Sequence, residues 1–113
     1  MILRLLGTGS ADGIPSLHGD DPISRYAREH GGKDRRTRAA AILDGTIKID
    51  LPPDTYMQME RDGLSACDWS ALFFTHSDDD HFTVSEIQYS MVPFTKLEFL
   101  PYTIFGNATV TSL

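Results

Sequence analysis

Apolar and polar positions alternate along this chain in short blocks. Ile2 to Leu6 reads as a first strand, closed by the glycine-rich turn Gly7-Thr8-Gly9-Ser10-Ala11-Asp12-Gly13. Ser16 to Pro22 is loop. Asp21-Pro22 opens a helix, with Asp as N-cap and Pro at the first helical position, running to about His30 and stopping at Gly31-Gly32. The clearest hairpin is Arg38 to Leu43, then Asp44-Gly45, then Thr46 to Asp50, because Asp-Gly supports the two-residue turn that matches strand twist. Pro52-Pro53 breaks the strand, Asp54 caps a helix through Asp62, and Gly63 ends it. Leu64 to Ser70 leads into Ala71 to Thr75, which has the length and composition of a buried strand. Thr83-Val84-Ser85-Glu86 is a capping box that starts a helix with Ile87, Met91 and Val92 on its apolar side. Tyr102 to Phe105 reads as a further strand, and Ala108 to Leu113 begins another element. No internal repeat or low-complexity segment interrupts the pattern.

Composition adds bounds. At 113 residues the chain fits one domain, 1–113, with enough apolar content for a core. A net charge of −6 argues against a protein that coats nucleic acid, although Lys33, Arg35, Arg36 and Arg38 cluster. That run reads first as a solvated face, with a substrate-phosphate role as the alternative. The single Cys67 excludes an internal disulfide framework and a zinc-thiolate cluster. No apolar stretch is long enough to span a membrane, and Met1 to Leu6 is too short for a signal peptide. A cytoplasmic protein is the resulting expectation.

Chemistry concentrates in one place. After Ala71 to Thr75 come His76-Ser77-Asp78-Asp79-Asp80-His81, and His76, Asp78, Asp80 and His81 are all metal-capable. A strand that opens into such a loop delivers side chains to a sheet rim, where open α/β sheets keep their ligand sites. In an extended chain His76 and Asp78 point the same way, and Asp80 and His81 follow after a turn. Imidazole and carboxylate suit zinc, iron or manganese, and a mixed set with open positions is typical of catalytic sites. The four groups could serve one ion or share two, about 3.5–4 Å apart. A solvated acidic loop is the bland alternative; placement between a buried strand and a capped helix favours the site. That helix's positive end near the loop favours anionic ligands.

Rival motifs fail on their own requirements. A calcium-binding EF-hand loop needs a Gly at its sixth position and a Glu at its twelfth. An aspartyl-phosphatase pattern is broken where Phe82 follows Asp80-His81, and Ser77 beside His76 has no orienting partner or oxyanion hole. The third Gly of the opening turn falls one residue late for a dinucleotide fingerprint, and Ile14-Pro15 opens no helix. A backbone nest near the metal loop and a plain tight turn both remain for that segment. His18 and His30 read as surface or cap histidines, and Tyr56, Met57, Met59 and Trp69 as packing.

Thr75-His76-Ser77-Asp78-Asp79-Asp80-His81 resembles the His-x-His-x-Asp-His signature of the metallo-β-lactamase-fold hydrolases, with Asp78 in place of the second His. Leu6 to Pro15 is similar to the opening of the branch that holds ribonuclease Z and the cyclic phosphodiesterase of phosphonate metabolism. Ile47 to Asp50 resembles the family's strand ending in Ile-Asp, with Leu51-Pro52-Pro53 where a Gly is expected, and Leu100 to Gly106 resembles a later strand. The match spans nearly the whole chain but only the first half of the family's fold. It implies an α/β (α+β layered) architecture: half of an αββα sandwich, a mixed sheet with helices on one face. It implies a metal-dependent hydrolase, with a metal-bound hydroxide attacking a small-molecule or nucleotide phosphodiester. His76 and Asp78 would hold a first divalent ion and Asp80 and His81 a second, with Asp80 also touching the attacking water or leaving group. Asp50 would orient a ligating His, against the alternative of a capping or loop Asp. An Asp at position 78 shifts preference from zinc toward iron or manganese.

The resemblance also implies what is missing. The family takes a His, a bridging Asp and a final His from the second half of its fold, beyond Leu113. Two explanations stand: a piece of a longer hydrolase, or a half-fold whose two copies cover each other's open sheet face as a homodimer. A catalytically incomplete metal-binding or dimerisation module is the alternative function.

Overall fold

Asp44 and Gly45 both adopt left-handed backbone, with φ of 53° and 72°, the geometry a type I′ turn requires. The expected two-residue loop is one residue longer: Asp44, Gly45 and Thr46 lie between the paired Leu43 and Ile47, with Ile42 opposite Lys48 and Ala41 opposite Ile49. The computed structural model describes residues 1–88 and 102–112. Met91, Val92, Leu100 and Pro101, assigned above to a helix face and a strand, lie outside the described residues.

Five strands form one mixed sheet in the order β1 (Leu3–Gly7), β2 (Ala40–Leu43), β3 (Ile47–Ile49), β4 (Ala71–Phe73) and β5 (Thr103–Phe105). β1 to β3 form an antiparallel meander; β4 joins β3 in parallel, and β5 joins β4 in parallel. The C-terminal ends of β1, β3, β4 and β5 therefore share one edge. The helices are α1 (Pro22–His30), α2 (Thr55–Arg61), α3 (Val84–Gln88) and α4 (Ala108–Thr111). α1 starts and stops as its residues dictate: the Asp21 side chain accepts from Ser24 N at 3.0 Å, and Gly31 turns the chain with a φ of 63°. α2 departs from expectation. Asp54 stands at its N-cap position, yet its carboxylate makes no cap bond. It accepts from Arg38 N at 2.9 Å and pairs with the Arg38 guanidinium at 3.1 Å instead. A charged partner outcompetes a backbone N–H for the same oxygens.

The two sheet faces differ. Ile42, Lys48 and Leu72, neighbours across three strands, lie on a fully covered face. There they pack with Leu6, Ala40, Leu51, Trp69, Phe74, Met59 of α2 and Val110 of α4, with Ile87 of α3 at the margin. The opposite face carries Leu3, Leu5, Ala41, Leu43, Ile47, Ile49, Phe73 and Phe105. No described element covers it: Leu3, Leu5, Phe73 and Phe105 are 42–62% exposed. Phe73 and Phe105 stack on it with ring centroids 4.5 Å apart. The expectation of a wholly buried central strand is corrected accordingly. β4 alternates, with Leu72 buried and Phe73 open, because only one face has a layer of helices.

The opening glycines serve close approach. A Cβ on Gly7 would stand 2.1 Å from Arg38 O, and one on Gly9 2.7 Å from Arg36 O. Gly9 N donates to Thr37 O at 2.6 Å and Gly13 N to Ser10 O at 2.9 Å. Gly9 thereby closes a seam against residues 36–38, with Ala39 N returning to Gly9 O at 3.1 Å.

Candidate metal centre

The polar loop leaves β4 at the shared sheet edge and docks on the end of β3. Leu51 N donates to His81 O at 2.8 Å, and Thr83 N returns to Leu51 O at 2.9 Å. Within the loop, His81 N and Phe82 N both donate to Asp78 O at 2.9 Å. This tight turn brings His76, Asp80 and His81 together: one ligand atom from each lies within 4.8 Å of the others. His81 Nε2 is 3.0 Å from Asp80 Oδ2, and the two imidazole centroids are 4.2 Å apart. Asp78 stands outside this trio. Its carboxylate is 3.4 Å from His76 Nε2 but is 77% exposed.

Asp50 organises the cluster. It is buried, with a φ of 62° that few residues other than glycine adopt. Its carboxylate accepts from His81 Nδ1 at 2.7 Å, from Thr75 N at 2.8 Å and from Thr75 Oγ1 at 2.8 Å. Ionised, a carboxylate only accepts, so Asp50 fixes a proton on His81 Nδ1 and turns Nε2 toward Asp80 Oδ2, 3.0 Å away. With its hydroxyl proton directed to Asp50, Thr75 Oγ1 accepts from His76 Nδ1 at 2.9 Å, and His76 Nε2 faces Asp78 Oδ2 at 3.4 Å. One acid thus orients both imidazoles, directly for His81 and through a hydroxyl for His76.

Beneath Asp50 lies a group that sequence reading did not single out. Lys48 is fully buried on the covered face, and its ammonium donates to Asp50 O. It also sits 5.7 Å from the centroid of the Trp69 ring. Burial lowers its pKa from 10.5 to about 8, a fall the Asp50 carboxylate partly counters. Thr75 was likewise read only as the end of a strand. No local signal marks either residue: Thr75 meets Asp50 from 25 residues away, and Lys48 alternates with two isoleucines as a solvent-facing lysine would. His18 and His30 take no part in the trio, and His30 stacks on Tyr26 at 3.7 Å.

Comparison with known proteins gives the fold a context. No family model and no curated protein matches the chain. Among solved structures, it superposes on a diphosphatase from the PhnP family with a TM-score of 0.73 and 24% identity, over 97% of this chain and 43% of the other. It also superposes on Zn2+-bound PqqB from Methylobacterium extorquens with a TM-score of 0.77 and 18% identity, over 99% of this chain and 42% of the other. Nearly the whole chain has the metallo-β-lactamase fold of these structures, and it spans about two fifths of their length. Among the described residues, no helix is long and apolar enough to cross a membrane.

Proposed function

We propose that this chain supplies the metal-binding edge of a metal-dependent hydrolase acting on phosphodiesters. The observation that carries the reading is the convergence of His76, Asp80 and His81, with both imidazoles oriented by Asp50 through their Nδ1 atoms. Two neutral imidazoles and a carboxylate are a donor set that fits zinc, manganese or iron. Ligands of a tetrahedral zinc at about 2.1 Å stand roughly 3.4 Å apart, and the trio, whose ligand atoms all lie within 4.8 Å of one another, is of a size to grip one ion after small side-chain adjustments. Asp78, beside His76, joins from the solvent side. A bound divalent cation supplies Lewis acidity and an activated water at neutral pH. Asp80 would help hold the ion and face its open side, and the Asp50–His81 bond holds the ring against rotation. The likeness to a structure described as a diphosphatase supports phosphorus as the attacked centre.

The bare apolar sheet face goes with the same reading. A second copy of this chain is proposed as its cover, since a face of this size left in water invites association and the trio alone leaves a metal site open. Light scattering is expected to give a dimer, and Phe73→Glu a monomer. A wild-type monomer would refute this part.

The principal test loads chelator-treated protein with zinc or manganese and measures bound metal by mass spectrometry. Wild type is expected to hold at least one ion per chain, and His81→Ala to lose it. Hydrolysis of an aryl phosphodiester should then follow metal content and vanish in Asp80→Ala. Tight metal binding without turnover would favour a non-catalytic metal-binding module; no binding would overturn the reading.

A further inference from the structure

The run Lys33, Arg35, Arg36 and Arg38 does not behave as one solvated face. Arg38 is spent on Asp54. Among the described residues, no ion pair includes Lys33, Arg35 or Arg36. Arg35 donates to Arg28 O at 3.0 Å and Arg36 to Thr8 Oγ1 at 2.8 Å, both neutral acceptors that leave the charges uncompensated. All three line one cavity of about 390 Å³, whose walls include Gly7, Thr8 and Arg61. Arg61 is neutralised by Asp62 at 2.9 Å. Asp34, the acid nearest in sequence, lines a neighbouring cavity instead, shared with Lys33 and Arg36. The cavity wall contains no carboxylate. In a chain of net charge −6, three unpaired cations around one concavity form a local inversion of field.

Position gives this inversion meaning. Gly7 and Thr8 end β1, whose C-terminal end shares an edge with β4 and the metal loop. Three strand spacings of about 4.8 Å separate β1 from β4, so the cavity opens roughly 14 Å along the rim from the trio.

We propose that the cavity between Lys33, Arg35, Arg36 and the end of β1 is an anion site for a phosphate group, separate from the metal cluster. It rests on the phosphodiester reading only for its role: it would grip a second phosphate of the ligand whose first sits at the metal. Guanidinium forks suit this recognition, because each offers paired N–H groups to phosphate oxygens. A distal grip of this kind selects for extended, multiply charged substrates over small diesters.

The test needs no turnover. Chelator-treated protein is titrated calorimetrically with inorganic pyrophosphate and, separately, with a short single-stranded oligothymidylate. Wild type is expected to bind at least one of them, with affinity falling steeply as salt rises. Pyrophosphate binding identifies a site for a free phosphate group; binding of the oligonucleotide alone identifies one for a phosphodiester chain. Arg35→Gln with Arg36→Gln should weaken binding at least tenfold. Lys33→Gln, which breaks no contact, should weaken it several-fold with an unchanged unfolding curve. Wild type that binds neither probe, or variants that bind as well as wild type, would overturn the proposal. Loss of metal-dependent hydrolysis elsewhere would not touch it.

Discussion

Replacing Lys48 by Met tests the physics under the metal centre. The ammonium is fully buried and its pKa falls from 10.5 to about 8. At about 1.4 kcal/mol per unit, keeping the charged form in the core costs about 3 kcal/mol. The sign follows from proton counts. Unfolded chain holds this proton up to about pH 10.5, whereas the folded chain releases it near 8. Between those values the unfolded state binds more protons, so stability rises with pH; below 8 the full cost is present, and above 10.5 it is gone.

Lys48→Met keeps the length of the side chain and removes the ionisation. It also removes the bond to Asp50 O, worth about 1–2 kcal/mol. At pH 7 the variant should therefore be more stable than wild type by about 1–2 kcal/mol, as buried charges often are when replaced by apolar groups. Near pH 10.5 it should be less stable by about 1 kcal/mol, for only the lost bond remains. Urea unfolding of both proteins at one concentration across pH 7 to 10.5 reads this crossover. Groups that also titrate there, such as Tyr102, whose pKa burial raises, are present in both proteins and cancel. A difference between variant and wild type that stays flat within about 0.5 kcal/mol over that range would refute the reasoning.

Asp50→Asn keeps the shape but offers His81 and Thr75 a weaker acceptor. Metal affinity measured against a competing chelator should fall 10- to 100-fold, and an unchanged affinity would remove Asp50 from its role. Gly7→Ala places a Cβ 2.1 Å from Arg38 O and 2.6 Å from Thr37 Oγ1, so β1 must shift; thermal unfolding should show a loss of about 2 kcal/mol or more.

What could be read along the chain was whatever is local. The Asp-Gly turn, the Asp21-Pro22 start of α1 and its Gly31 stop each need only neighbouring residues, and each stands where the pattern put it, although the hairpin loop takes in Thr46 as a third residue. Asp54 departs from its expected capping role because its competing partner, Arg38, arrives from the segment before β2, 16 residues away. The role of Thr75 is hidden for the same reason, since Asp50 reaches it across the sheet from 25 residues away. Lys48 carries a further lesson. In Ile47-Lys48-Ile49 strict alternation would send the lysine to water and the isoleucines to the core. The structure does the reverse, with Lys48 covered and both isoleucines on the bare face. A strand can tolerate that inversion when both faces end up covered, as parallel central strands do. The isoleucines lie with Leu3, Leu5, Phe73 and Phe105 on the face for which a second copy is proposed above, and the inversion at Lys48 is an argument for that proposal, because it leaves an apolar face with no described element over it.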